Sequence, residues 1–502
     1  MDATALSGSV PDWLRQRAAS TPDRLALVTA DASLSFAALD RAADAMTGGL
    51  HAAGVARGQL VALLAANSAA YAVAVHALAR LGAVLMPLNT RLAPAELAFQ
   101  LQDAAARHLV ADAAHFDVVT ELGGELPSVR LHRLEELNGA ASGQAAAPRR
   151  HASGFDLGEV QTVVYTSGTT GRPKGAQLTY GNHLWSAVAS ALNLGLRDDD
   201  RWLACLPLFH VGGLAILLRG VICGTTVVLH ETFDPDRVSR AIDEEGVSHV
   251  SVVANMLQRL LDGRGERPFP PTLGCVLLGG GPAPRPLLEA GAARSVPVAQ
   301  TYGLTEAASQ VATLSPADAL RKLGSAGRPL FGTELRIVRE DGADCAPGEA
   351  GDILIRGPTV TPGYLNRPDE TAAVLRDGWL LTGDVGYLDA EGYLYVLDRR
   401  DDLIISGGEN VYPAEVEAVL ASHPAVLEAG VYALPDERWG RAPAAVVVLR
   451  ADAATTGEEL VAFCRERLAG FKVPRRIGFA PALPRNAAGK LLRRELAARH
   501  GA

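Results

Sequence analysis

Lysine is scarce in this chain. Of 47 Lys and Arg residues only four are lysine, at positions 174, 322, 472 and 490. Arginine is the default cation, so each retained lysine marks a place where a compact point charge suits better than a planar fork. Cysteine is sparse too. Cys205, Cys223, Cys275, Cys345 and Cys464 are scattered with no Cys-x-x-Cys pair. That spacing excludes a zinc site or a disulfide framework, and reads as reduced thiols in the cytoplasm. There is no basic excess: the net charge of −9 argues against a general nucleic-acid binder. It also means that any anionic substrate must be gripped by local donors. A charged leader followed by an apolar core is missing at the start, so no signal peptide is expected. The longest apolar stretch, residues 203–218, is broken by Pro207, His210 and Gly212-Gly213, so no membrane insertion is expected. No internal repeat is found.

The organisation is that of a soluble α/β protein. Length, at 502 residues, predicts two or three structural units. Residues 11–112 alternate short strands and helices: Leu60–Leu64 and Ala83–Met86 read as strands, with helical spacing over Ser68–Leu81. Residues 138–154 read as a surface connector. A second alternating region runs from about 160 to 315. After about 322 the rhythm changes to short strands with glycine turns, over Glu334–Val338, Asp352–Arg356 and Gly392–Val396, which suggests a small antiparallel barrel or sheet. From about 402 a new α+β pattern begins.

The densest signal is Tyr165-Thr-Ser-Gly-Thr-Thr-Gly-Arg-Pro-Lys174-Gly175. Three glycines and four hydroxyl side chains (Thr166, Ser167, Thr169, Thr170) occupy eleven residues. Glycine lets the backbone approach a ligand, and successive N–H groups in such a turn make a concave anion site. It is not the common P-loop, because Gly168 and Gly171 are too close and Gly175 follows Lys174. A flexible surface linker is the bland alternative. Against it, the apolar run Thr162–Tyr165 reads as a strand feeding the loop, which is where α/β proteins put phosphates.

The wording of this loop resembles the signature of the adenylate-forming superfamily, which includes acyl-CoA synthetases, luciferases and peptide-synthetase adenylation domains. The resemblance implies a large N-terminal domain, residues 1–400, of two doubly wound α/β subdomains plus a small β-barrel from about 322. A smaller mobile α+β domain, residues 401–502, would follow. It also implies roles for further motifs. In Gln300-Thr-Tyr-Gly-Leu-Thr-Glu306, Tyr302 would flank adenine, Thr305 touch phosphate and Glu306 help hold Mg²⁺, a hard cation usually bound by one or two carboxylates plus phosphate oxygens. The bland reading puts Glu306 in a helix's first turn. In Leu381-Thr-Gly-Asp384, the aspartate would hold both ribose hydroxyls; an Asp-containing turn is the alternative. The run Asp398-Arg399-Arg400-Asp401-Asp402 with Gly407-Gly408 resembles the interdomain hinge, with Arg399 on the nucleotide and Asp401 as pivot. The family usually has Gly where this chain has Asp398, so the pivot is less firmly fixed. A solvated charged loop fits the same run. Near the end, Gly489-Lys490 resembles the catalytic-lysine motif, Lys490 bridging α-phosphate and carboxylate; a surface lysine on a basic tail also fits. Lys472 carries no catalytic assignment.

The acyl site is read from Cys205–Gly213, Val227–Glu231, Val276–Pro284 and Thr305–Gln310. Together these resemble the superfamily's branch that ligates 2-succinylbenzoate to coenzyme A. Gly279-Gly280-Gly281 would leave room for a flat ring, and His210 would line the acyl site. The second carboxylate of that acid needs donors. Ser309, Gln310 and Arg219 are candidates, although Arg219 reads as readily as a helix-surface arginine. The expected chemistry is adenylation of the acid with ATP and Mg²⁺, then attack by the thiol of coenzyme A after the C-terminal domain turns. Twelve residues follow Lys490, so coenzyme A rather than an attached carrier domain is the expected thiol. The alternatives are a medium-chain or aryl acyl-CoA synthetase, and a non-catalytic nucleotide-binding protein. The resemblance leaves room for a homodimer.

Overall fold

A computed structural model describes residues 8–126, 128–139, 154–166, 173–281, 283, 285–399, 402–406, 409–436, 440–468, 470–485 and 491–500. Its framework is two mixed sheets. The seven-stranded sheet runs in the order Gly363–Tyr364, Lys174–Thr179, Val160–Thr166, Val84–Pro87, Leu60–Leu64, His108–Ala111, Arg130–Arg133. The nine-stranded sheet runs Arg328–Pro329, Ser309–Thr313, Val298–Leu304, Cys275–Leu278, His249–Val252, Arg201–Ala204, Thr226–Leu229, Leu25–Val28, Ser33–Ser35. Central strands are parallel; both edges of the larger sheet and one edge of the smaller are antiparallel, while the other edge of the smaller, Arg130–Arg133, is parallel.

Alternation along each strand decides which layer a side chain enters. Trp202, Ala204, Cys275 and Leu277 of the larger sheet join Val61, Leu63 and Leu85 of the smaller one in a single central core. Their neighbours Leu203, Val276 and Leu278 face outward into a second core, and Ala62, Leu64 and Met86 into a third. The helices Phe36–Ala52, Ala69–Leu81 and Val211–Cys223 therefore lie between the two sheets, with buried residues in the central core.

The helix Ala69–Leu81 shows why local sequence is obeyed. The Ser68 hydroxyl caps it by accepting from Tyr71 N at 3.1 Å. Gly82 ends it at φ 70°, a left-handed conformation that suits glycine. Its last turn carries Arg80, whose side chain is 1% exposed and paired with Asp12 at 2.8 Å, Asp40 at 2.5 Å and Asp44 at 2.7 Å. A buried guanidinium is tolerated here because three carboxylates meet it.

Residues 334–399 form a five-stranded antiparallel sheet that includes Glu334–Val338, Gly351–Arg356 and Trp379–Leu388. Its pairings do not close into a barrel among the described residues. The last part of the chain has cores of its own. Val416, Leu420, Val431, Val447 and Leu460 pack around a three-stranded sheet of Val426–Asp436, Gly440–Leu449 and Ile477–Phe479. Lys472 is spent here on structure, with Nζ 2.7 Å from Glu415 Oε1.

Two buried histidines give the fold a pH dependence. Burial drives His76 from the ordinary 6.5 down to about 4, with nearby Asp12 opposing, and His183 down to about 3. The unfolded chain takes up protons near pH 6.5 that the folded chain refuses until far lower pH. Stability is therefore lost as pH falls from 6.5 towards 4. The thermal midpoint should drop across that window, and His183→Asn should flatten the drop. A midpoint that stays level between pH 6.5 and 4 would refute the assignment.

Candidate functional site

The phosphate-type loop is the tip of a hairpin. Val160–Thr166 enters it and Lys174–Thr179 leaves it, and the two strands pair with Lys174 opposite Thr166 and Gly175 opposite Tyr165. Ser167, Gly168, Thr169, Thr170 and Gly171 lie outside the described residues; the neck that holds them does not. Lys174 is 11% exposed, and its Nζ meets Glu370 Oε2 at 2.5 Å. The same Nζ stands 5.4 Å from the centre of the Tyr364 ring, a cation–π distance.

Tyr364 links the two sheets. Its strand pairs with that of Lys174, Ala176 opposite Tyr364, and its hydroxyl donates to Glu306 Oε1 at 2.9 Å. Glu306 stands in the single 3₁₀ turn Thr305–Ala307, after the strand Val298–Leu304. The turn is tight: Ala308 has φ 51° and Ser309 φ 108°. Two hydrogen bonds hold these sparsely populated angles, Ser186 Oγ to Ala308 O at 2.6 Å and Thr361 N to Glu306 O at 2.8 Å. Gly303 is required at its root, since a Cβ there would lie 1.8 Å from Ser309 O.

Tyr302, one residue before Gly303, donates its hydroxyl to Asp384 Oδ2 at 2.6 Å. Asp384 is 6% exposed and opposes the backbone of Arg399 in the sheet. The structure thus brings together Thr166, Lys174, Tyr302, Thr305, Glu306 and Asp384 through paired strands and hydrogen bonds. Asp401, Gly407, Gly408 and Lys490 lie outside the described residues. Their flanks are described: Ser406 pairs with Glu409, and Arg485 bridges Leu491.

The residues expected at the acyl site are spread over several elements. His210 precedes the helix Val211–Cys223, its ring 4.6 Å from that of Phe209. Burial, and then the nearby Arg91, lowers its pKa to about 4, so the ring is neutral at physiological pH. Its Nε2 is buried with no hydrogen-bond partner. Arg219 lies nine residues further along the same helix. It is not a helix-surface arginine: it is 4% exposed, its guanidinium lies 4.4 Å from the centre of the Trp202 ring, and its Nε has no partner. Burial lowers its pKa to about 10, which still leaves it charged near neutrality. Gln310 is walled in, its Nε2 donating to Ser190 Oγ at 3.1 Å and its Oε1 accepting from Thr313 at 3.3 Å. Ser309 belongs to the strained turn. Gly280, after the strand Cys275–Leu278, has φ 83°, and a Cβ on Gly281 would meet nothing within 4 Å. Gly281 is exposed, whereas a Cβ on Gly279 would meet Thr301 Cγ2 at 3.2 Å and one on Gly280 would meet Val253 Cγ1 at 3.1 Å.

Sequence reasoning missed Tyr364, Glu370 and Asp103. Asp103 accepts from the Tyr165 hydroxyl at 2.7 Å and pairs with Arg367. The segment Thr361-Pro-Gly-Tyr364 carried a turn signal that marked its first half.

Residues 14–365 match the family model for AMP-binding enzymes, and residues 415–490 that for the AMP-binding enzyme C-terminal domain. The chain belongs to the AMP-binding enzyme family. It is similar to the 2-succinylbenzoate–CoA ligase of Geobacillus kaustophilus, with 52% identity over 491 residues, 97% of each chain. Its fold is similar to that of o-succinylbenzoate CoA synthetase from Bacillus subtilis in complex with the acyl-adenylate intermediate. That match has a TM-score of 0.91 at 46% identity, covering 97% of this chain and 98% of the other. The same enzyme in complex with ATP and magnesium gives 0.90 at 46% identity, covering 97% and 100%.

Gly303→Ala tests the turn that presents Glu306. With 1.8 Å to Ser309 O, either the turn or the fold must give way. Activity should fall at least a hundredfold even in folded protein, judged by circular dichroism. Wild-type turnover in that variant would show that the turn does not position the site.

Proposed function

We propose that the chain is a 2-succinylbenzoate–CoA ligase. It adenylates the acid with ATP and Mg²⁺ and passes the acyl group to coenzyme A, giving 2-succinylbenzoyl-CoA, AMP and pyrophosphate. The observation that carries the acid assignment is Arg219, a charged guanidinium on a helix between two sheets with no carboxylate paired to it among the described residues. Arg80, equally buried, has three. An uncompensated buried cation costs several kcal/mol, so a substrate carboxylate is the natural counter-charge. The guanidinium lies over Trp202 and beside Cys223, at the end of its own helix, and Cys275, at the start of its strand, with nine residues of helix, roughly 13 Å, between Arg219 and His210.

In the first step a carboxylate oxygen attacks the α-phosphorus of ATP, and the bond to the bridging oxygen breaks as pyrophosphate leaves. Backbone donors of the loop and Lys174 hold the phosphates, Asp384 the ribose and Tyr302 the base. Glu306 suits Mg²⁺: its Oε1 is turned by Tyr364, and no cluster of three metal-ligating side chains occurs among the described residues. That fits an ion completed by phosphate oxygens; when bound it would neutralise charge on the leaving group. Lys490 bridges the two anions as they meet. In the second step the thiolate sulfur attacks the acyl carbon and AMP leaves, with the Gly407-Gly408 face forming the thiol approach. We place the domain boundary at 400/401 with the pivot at Asp401, which the separate cores on either side support. No helix among the described residues is long and apolar enough to cross a membrane; a cytoplasmic setting and a homodimer are proposed from the family alone.

Coenzyme-A-dependent AMP release should favour 2-succinylbenzoate sharply over benzoate and octanoate. Arg219→Ala should raise the KM for that acid roughly 100-fold, the worth of about 3 kcal/mol of charge-assisted contact, with the KM for ATP unchanged. Equal rates on octanoate, or an unaltered acid KM, would move the chain to the medium-chain or aryl synthetases.

Lys490→Ala should abolish adenylation but keep most thioester formation from a supplied acyl adenylate. Equal loss of both steps would overturn the two-state assignment.

A further inference from the structure

We infer that Glu370 is a positioning residue that holds Lys174 in reserve and sets the affinity for ATP; this rests on the reading of Lys174 as a phosphate ligand. Glu370 follows Pro368 at the start of the short helix Pro368–Val374, outside every motif read from the sequence. Its two oxygens have different partners. Oε2 takes Lys174 Nζ at 2.5 Å, and Oε1 faces Arg367 Nε at 3.4 Å. Arg367 is in turn held by Asp103, which accepts the Tyr165 hydroxyl at the mouth of the loop.

The arrangement makes Lys174 exchangeable. If the lysine swings to a phosphate, Glu370 keeps Arg367 and is not left as a lone anion. Glu370 is also 38% exposed, so water can take the vacated lone pairs. Lys174, at 11% exposure, cannot be left without a partner as cheaply. It rests over the Tyr364 ring, whose hydroxyl holds Glu306. The parked lysine is thus one aromatic ring away from the proposed metal carboxylate. Phosphate and Glu370 compete for one ammonium group, and ATP binding includes the rupture of this ion pair.

The test is calorimetric titration of Mg·ATP, without acid or coenzyme A, into four proteins: wild type, Glu370→Gln, Lys174→Ala and the double variant. Glutamine keeps the size and removes the charge. Glu370→Gln should tighten ATP about fivefold, the scale of a partly exposed ion pair. Lys174→Ala should weaken it, and adding Glu370→Gln to Lys174→Ala should change nothing further. A purely structural role for Glu370 would weaken ATP binding equally in both backgrounds, and that result overturns the proposal, as does an unchanged Kd in Glu370→Gln. Should Glu370→Gln fail to fold, Glu370→Asp, which keeps the charge on a shorter arm, should give a smaller tightening with the same dependence on Lys174. Wild type that binds no ATP would overturn the nucleotide reading itself, a failure distinct from that of Glu370. Neither outcome depends on which acid the enzyme activates.

Discussion

An anion approaching a chain of net charge −9 meets no favourable general field. Every anion the reaction needs must be met by a cation or a fan of N–H donors fixed at one spot. Two cations of the chain rest on aromatic faces, one of them paired with a carboxylate as well. Arg219 rests on the face of Trp202, and Lys174 rests on the Tyr364 ring and a half-exposed glutamate. An aromatic face steadies a cation for roughly 0.5–2 kcal/mol, too little to compete with a bound carboxylate or phosphate. Lys322 and Lys472 also combine carboxylates with a ring: Lys322 meets Asp389 and Glu391 and stands 4.7 Å from the Tyr393 centroid, and Lys472 meets Glu415 and stands 5.7 Å from that of Phe471. What sets Lys174 apart is its place at the neck of the glycine-rich loop.

The interleaving of the chain puts these cations where they are. Leu25–Val28 pairs with Thr226–Leu229, some two hundred residues later, so the beginning of the chain completes the larger sheet. Lys174–Thr179 and Gly363–Tyr364 extend the smaller sheet, which residues 60–111 begin. The hydrogen bond from Tyr364 to Glu306 then crosses from one sheet to the other. The neck of the glycine-rich loop, anchored in one sheet, and Glu306, anchored in the other, come together only because of this exchange.

Much of this was legible in local sequence. Leu60–Leu64 is a strand with the predicted bounds, Ser68 caps the predicted helix, and the strand before the glycine-rich loop is Val160–Thr166. Each is set by neighbours in sequence: an apolar run, a capping hydroxyl, a glycine able to take φ 70°. The last predicted strand of the β-rich region shifts from Gly392–Val396 to Leu394–Arg399, because Gly392 at φ 79° belongs to the turn. What local sequence could not carry was pairing at long range. The strands at 25–28 and 33–35 join the sheet of residues 201–313 instead of that of residues 60–133. Arg219 looked exposable because a single arginine in an apolar helix is ambiguous; only the second sheet buries it. Glu370 sits in an ordinary charged helix start, and nothing in its neighbours names Lys174, 196 positions away.

The three motif loops share one mechanical device. Residues 167–173 are bounded by the pair Thr166–Lys174, residues 407–408 by Ser406–Glu409, and residues 486–490 by Arg485–Leu491. Each begins and ends at a closed antiparallel neck. Under the proposed two-step reading, fixed necks would preserve aim, while rotation of the C-terminal core would change which loop faces the substrate. The C-terminal unit is braced for such movement as a body: Arg493 joins Asp402 at 3.1 Å and Glu417 at 2.8 Å, tying its last helix to the residues just after the proposed pivot. A torque applied at the hinge would then be carried to the Lys490 neck through that ion pair rather than lost in a flexible tail.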